Sequence, residues 1–216
     1  MMGPVLRILI VDDHRMFREG IRSRLSKEAD IEVVGEAGSA EEALAVAQEA
    51  NPSIVILDVR LPDMSGIELI RLLRGRRPEL KILVLTGYDF DQYVRAAARE
   101  GIEGYLLKDA PQEALVQALR DIASGGAVLP PGIASKVMRN YASSASVTRR
   151  RLSELTLKEI EIVELIYQGL RNVEIARRLS ISVRTVEAHV GSIMTKLEAQ
   201  SRTEAAYIAV EKGLIK

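Results

Sequence analysis

Three carboxylates stand where short apolar runs end. Val11-Asp12-Asp13 closes a run that begins at Val5, and Ile56-Leu57-Asp58 closes one that begins at Ser53. Gathered at one sheet edge, three anions repel one another and raise each other's pKa unless a cation lies among them. Mg²⁺ suits such a set: it takes octahedral oxygen ligands, keeps several waters and accepts a few carboxylates together with a phosphoryl oxygen. Leu85-Thr86 and Leu107-Lys108 end two further apolar runs, so a hydroxyl and an ammonium join the same rim. Any one of these polar positions is explained by a strand ending in solvent. The five together call for chemistry. The chain has no cysteine and only two histidines, which excludes disulfides, thiolate metal sites and a histidine-rich centre, so a metal here must bind oxygen.

The elements that must position these groups are legible in the first half. Apolar runs at Val5–Val11, Ser53–Leu57, Lys81–Leu85 and Gly104–Leu107, with a weaker one at Ile31–Ala37, read as buried strands. Segments with helical spacing follow each, at about 15–28, 40–50, 66–74, 89–100 and 112–124. Five βα units in succession predict a parallel sheet with helices on both faces. Ligands collect at the carboxyl ends of such strands, where the five polar residues fall.

Composition shifts between Ser124 and Arg151, with Pro130-Pro131-Gly132, a serine-rich stretch and Arg149-Arg150-Arg151, so residues 125–151 read as a linker holding a short helix from Ile133 to Tyr141. The remainder, 152–216, is helical in pattern. Thr156-Leu157-Lys158-Glu159 has capping-box spacing, as does Ser201-Arg202-Thr203-Glu204, and Gly169 is placed to end the first helix. A second helix runs from about Asn172 to Leu179, a third follows Ser182 to about Leu197, and a fourth begins after Ser201. The short turn Ser180-Ile181-Ser182 joins helices two and three in helix-turn-helix fashion. Val186, Val190, Ile193 and Leu197 form an inward stripe on the third helix. Its other face carries Arg184, Thr185, Glu187, Ala188, His189, Ser192, Thr195 and Lys196, suited either to a major groove or to plain solvation.

Asp12, Asp13, Asp58, Thr86 and Lys108, in that strand order, resemble the receiver domain of bacterial response regulators over residues 5–124. Val59-Arg60-Leu61-Pro62-Asp63-Met64-Ser65-Gly66 after Asp58 and Tyr105 three residues before Lys108 strengthen the likeness. The resemblance implies a five-stranded, doubly wound α/β fold of flavodoxin-like strand order 2-1-3-4-5 over residues 1–124. It also implies Asp58 as phosphoacceptor from a sensor histidine kinase. Mg²⁺ would be held by Asp12, Asp13, Asp58 and the Arg60 backbone carbonyl, and Thr86, Tyr105 and Lys108 would sense the phosphate. Simple packing remains open for Tyr105. Arg60 and Tyr88 occupy positions that tune access of hydrolytic water in similar receivers, and His14 reads as a helix-start or surface residue.

Residues 152–216 are similar to the LuxR-type DNA-binding domain, through Leu155-Thr156, Glu159, Gly169, Glu174-Ile175-Ala176, Thr185-Val186, His189-Val190, Lys196-Leu197 and Ser201 to Ala205. Receiver plus this four-helix, all-α domain defines the NarL/FixJ family. The resemblance places Arg184, Thr185, Glu187, Ala188, His189 and Lys196 against double-stranded promoter DNA, with Asn172 and Ser182 near phosphates. Glu187 stands where many relatives carry lysine. It could accept from cytosine N4 or pair with Arg184 at i, i+3. Ala205, Ala206, Ile208 and Ala209 on the last helix are the dimerisation candidates, with packing inside one domain as the other reading.

The net charge of zero conceals two halves of opposite sign. Residues 1–125 hold 16 Lys+Arg against 21 Asp+Glu, and residues 126–216 hold 14 against 9. A cation for the first half and a polyanion for the second fit that division. No membrane or secretion signal is read, so a cytoplasmic regulator is expected, a homodimer when active and with RNA polymerase as a further partner. No enzyme activity is expected beyond its own phosphoryl transfer and dephosphorylation. An orphan regulator working unphosphorylated is the alternative. An Mg²⁺ phosphatase with an aspartyl nucleophile commonly needs a second carboxylate where Arg60 stands.

Overall fold

The computed structural model describes residues 5–87, 91–129, 134 and 155–215. The chain divides into two compact units, Met1–Val137 and Met138–Lys216.

In the first unit, β1 (Leu6–Val11), β2 (Ile31–Ala37), β3 (Ile54–Leu57), β4 (Lys81–Thr86) and β5 (Gly104–Leu107) form one parallel sheet in the order β2-β1-β3-β4-β5. Between and after them run α1 (Arg15–Leu25), α2 (Ala40–Ala50), α3 (Gly66–Arg76), α4 (Asp91–Arg99) and α5 (Gln112–Ala123). The three central strands are apolar on both sides because both sides are covered: Ile8, Leu9, Ile10, Ile54, Val55 and Leu57 are fully buried. Ile8, Ile10, Ile54, Ile56, Leu83, Leu85 and Leu106 pack with Ile21 and Leu25 of α1 and Leu119 and Ile122 of α5. Each such aliphatic side chain contributes about 1.5–3 kcal/mol on burial.

Observed ends differ slightly from those expected. Helix α1 stops at Leu25 because Ser26, Lys27 and Glu28 close a tight turn through their backbone N–H groups, and Arg24 pairs with Glu28. Strand β3 begins one residue late, since Ser53 spends its hydroxyl and backbone N–H on the Arg7 carbonyl. After α5 the chain returns to the open edge of β5. Val128 donates to the Glu103 carbonyl and accepts from Tyr105 N–H at 2.9 Å, satisfying groups an edge strand would leave unpaired. Ordered contacts of the first unit thus run past the boundary expected at residue 124. The short helix expected over 133–141 lies, but for Ala134, outside the described residues, as does Tyr88.

The second unit contains α6 (Leu157–Tyr167), α7 (Asn172–Arg178), α8 (Val183–Leu197) and α9 (Arg202–Glu211). Thr156 and Glu159 form the reciprocal capping box at the start of α6. Gly169, at φ +86°, ends it, with Leu170 N–H returning to the Leu165 carbonyl. Ser182 caps α8 by accepting from Thr185 N–H. At α9 Ser201 caps as expected, but Glu204 reaches the backbone N–H of Gln200 instead of that of the cap residue itself. The core joins Ile160, Val163, Ile175, Val186, Ile193 and Leu197, all at most 5% exposed.

Candidate functional site

The ends of β1, β3, β4 and β5 bring Asp12, Asp13, Asp58, Thr86 and Lys108 to one rim, because parallel pairing in register puts Val11 beside Leu57 and Thr86 beside Leu107. Asp12 and Asp58 are buried, at 2% and 3% exposure. Lys108 bridges them, its Nζ 2.5 Å from Asp12 Oδ2 and 2.6 Å from Asp58 Oδ2. Burial pushes the Asp58 carboxyl above its ordinary value, and Lys108 opposes this without reversing it. Burial alone would lower the Lys108 ammonium, but the Asp58 charge and the hydrogen bonds to both carboxylates hold it above its usual value. The site therefore keeps a cation already in contact with the carboxylate expected to react.

Asp13 lies nearer solvent. Carboxylate oxygens of Asp12, Asp13 and Asp58 and a ring nitrogen of His14 lie within 4.8 Å of one another. Three hard oxygen donors so close fit a small divalent cation that keeps waters in its remaining positions. His14 stands in this group, Nδ1 2.7 Å from Asp13 Oδ1 and 3.1 Å from Asp12 Oδ1, and also starts α1. Thr86 Oγ1 is buried with no hydrogen-bond partner among the described residues, although it lies close enough to Asp58 to favour the anion. An unpaired buried hydroxyl costs stability, and a phosphoryl oxygen bound to Asp58 would satisfy it. Tyr105 is fully buried.

The loop after Asp58 is held by contacts that the sequence motif did not disclose. Asp63 accepts from Ala40 N–H and Glu41 N–H at 2.9 Å each, capping α2 from across the site. Burial by itself would raise this carboxyl, but these backbone donors hold it below the usual range. A Cβ on Gly66 would sit 2.3 Å from the Asp58 carbonyl oxygen and 2.8 Å from Val59 Cα. Gly66→Ala must therefore displace the Asp58 backbone. It is expected to cost about 1–3 kcal/mol and to slow modification of Asp58. Thermal melting and acetyl phosphate labelling check this, and a variant equal to wild type in both contradicts it. Sequence reading also passed over Phe17, whose ring lies 4.5 Å below Lys108 Nζ, and Tyr93, whose hydroxyl is 3.4 Å from Arg60 Nε. Only the place of Phe17 in the first turn of α1, four residues after Asp13, could have pointed to it.

In the second unit Arg184, Thr185, Glu187 and Ala188 are exposed on α8, and His189 is half-buried. Ser182 is exposed at the helix start, and Asn172 Oδ1 accepts from Arg202 Nη1 at 3.1 Å. Two expectations are revised. Lys196 does not lie free for DNA: its Nζ is 2.6 Å from Oε2 of buried Glu159, which also accepts from Ser192 Oγ at 2.5 Å. Ala205, Ala206 and Ala209 are at most 3% exposed, because small side chains let α9 lie close against α6 and α8. They form core in place of a dimer face, and Ile208 alone of the four is partly exposed.

Comparison with known proteins matches both units of the chain to described families. Residues 8–120 match the response regulator receiver domain, and residues 153–209 match bacterial regulatory proteins of the luxR family. The response regulator protein VraR of Staphylococcus aureus is 38% identical over 210 residues, which cover 97% of this chain and 99% of that protein. Among solved structures, the response regulator ChrA of a heme-sensing two-component system is 33% identical with a TM-score of 0.54, covering 99% of this chain and 100% of that one. RcsB from Salmonella enterica serovar Typhimurium, bound to promoter rprA in the presence of phosphomimetic BeF₃⁻, is 26% identical with a TM-score of 0.67, covering 94% and 98%.

Proposed function

Because this chain belongs to the LuxR family of two-component response regulators, DNA-binding proteins that carry a receiver, we propose that Asp58 is the phosphoacceptor through which it is switched. The observation that carries this reading is the buried Asp12–Lys108–Asp58 bridge with the unsatisfied Thr86 hydroxyl beside it. An Asp58 carboxylate oxygen forms a bond to phosphorus as the N–P bond of a kinase phosphohistidine breaks, and the leaving imidazole takes up a proton. Asp13, Asp58, the Arg60 carbonyl and, through water, Asp12 would hold Mg²⁺, which would supply neutralising charge to the phosphoryl oxygens. Lys108 pairs with one of those oxygens and Thr86 donates to another. Drawn towards the phosphoryl group, Thr86 alters the β4–β5 rim where Tyr105 packs, so a local charge event biases the fold.

In this reading residues 1–124 receive the phosphoryl group, 125–151 connect, and 152–216 bind promoter DNA, through Arg184, Thr185, Glu187, Ala188 and His189 on α8 and the helix start at Ser182. The protein works in the cytoplasm and pairs into a homodimer when activated, with RNA polymerase as a further contact. Among the described residues no helix is long and apolar enough to cross a membrane. The test uses the full chain with Mg²⁺, with and without BeF₃⁻, and a duplex that the chain selects from a random-sequence pool. A shift towards dimer in light scattering and roughly 5–150-fold tighter DNA binding are expected, neither of which Asp58→Asn shows. Equal size and affinity with and without BeF₃⁻ would mean that the regulator acts unphosphorylated.

A further inference from the structure

Asp12 is tied on all sides. Its N–H donates to the Ala37 carbonyl, Oδ1 accepts from His14 N–H at 2.9 Å, and Oδ2 meets Lys108. Its carbonyl oxygen accepts from Arg18 Nη1 at 2.5 Å. That carbonyl shares one rigid plane with the N–H of Asp13, so whatever fixes it sets the direction in which the Asp13 Cα and carboxylate leave the loop.

Arg18 is built for this task. It sits on α1, its side chain is 16% exposed, and its Nε lies 3.6 Å from Glu36 Oε2 on β2. The guanidinium also passes close to Gly38, where a Cβ would stand 3.4 Å from Nη1. Glu36 is held from its other side by Arg22 Nη1 at 2.8 Å. A planar guanidinium can face a carbonyl and a carboxylate at once, whereas an ammonium meets one of them well. Asp13, by contrast, is 41% exposed, and its carboxylate pairs with the ring of His14.

We infer that Arg18 is a positioning residue for the divalent cation: by hydrogen-bonding the Asp12 carbonyl, with Glu36 as a looser ionic neighbour that forms no hydrogen bond to Nε, it aims Asp13 at the site without itself touching the ion. This inference rests on the receiver reading given above. Groups that orient metal ligands from behind typically govern affinity by 10–100-fold.

Mn²⁺ is the probe, since it prefers the same oxygen ligands as Mg²⁺ and its free fraction is read directly by electron paramagnetic resonance on the full chain. Arg18→Met, which keeps most of the apolar stem, is expected to raise the Mn²⁺ Kd by about 10-fold or more. Arg18→Lys should recover part of that loss. Arg22→Ala removes the other guanidinium from Glu36, on the same helix, and should leave the Kd at the wild-type value. Melting without metal identifies any variant that is unfolded, in which case Arg18→Lys against Arg22→Ala decides. Wild-type affinity in both Arg18 variants overturns the inference, as does an equal loss in Arg22→Ala, which would show a general tether of α1. Failure of the wild type to bind Mn²⁺ overturns the site reading and this inference together.

Discussion

Lys196→Ala is expected to destabilise the C-terminal unit by about 3–5 kcal/mol, the usual cost of leaving a buried charge without its partner. Glu159 is 3% exposed, and its carboxylate accepts from Lys196 Nζ, Ser192 Oγ and Thr156 N–H, tying α6 to α8. Burial alone would raise this carboxyl, but Lys196 and the hydroxyl and backbone donors together hold it below its ordinary value of 4.5. A carboxylate depressed in the folded state adds stability above the unfolded pKa and loses it as pH falls through the folded one. The wild-type unit should therefore weaken below about pH 4.5, whereas without Lys196, where burial of the carboxyl is no longer opposed by the ammonium, that weakening on acidification should shrink or reverse. Urea unfolding followed by circular dichroism as a function of pH measures both effects, and Lys196→Met, which fills the space without charge, should behave like the alanine variant. DNA affinity would fall in these variants through loss of folded protein, so the salt dependence of binding by the folded fraction should remain that of wild type. A change in stability below about 1 kcal/mol would show the pair to be worth no more than a surface ion pair.

Lys108→Ala carries the second large effect. Lys108 is the cation already in contact with Asp58, and removal of a single donor aimed at developing charge typically slows a reaction by about 10²–10³-fold. Labelling by acetyl phosphate at saturating Mg²⁺ should slow by that order. Asp12 and Asp58 would then face each other in a buried site without the ammonium between them, which should raise the Asp58 pKa further. The expected companion result is a shift of the labelling pH profile to higher pH. An unchanged rate and profile would mean that Lys108 only packs.

The first unit was legible in its sequence because five apolar runs, four of them closed by Asp12-Asp13, Asp58, Thr86 and Lys108, can be satisfied by one parallel sheet. The site follows from the strand ends once the order is known. What escaped reading depends on contacts between distant positions. Helical spacing assigns Lys196 to a polar face, but nothing in that spacing reveals Glu159, 37 residues earlier, as its partner. Ala205, Ala206 and Ala209 look too small for a core, yet small side chains are what allow α9 to approach its neighbours closely. Arg18 reads as one more charge on an amphipathic helix until the loop before it folds back and presents the Asp12 carbonyl. Asp63 likewise lies within a recognisable motif, but its caps on α2 appear only when two loops meet.

The most direct measurement is the intact mass of the full chain after incubation with acetyl phosphate and Mg²⁺, for wild type and Asp58→Asn side by side, repeated with a chelator. One phosphoryl group on the wild type, none on the variant and none without Mg²⁺ is the expected result. Equal addition to both proteins, or addition that persists when the metal is removed, would contradict the assignment of Asp58 as the metal-assisted phosphoacceptor.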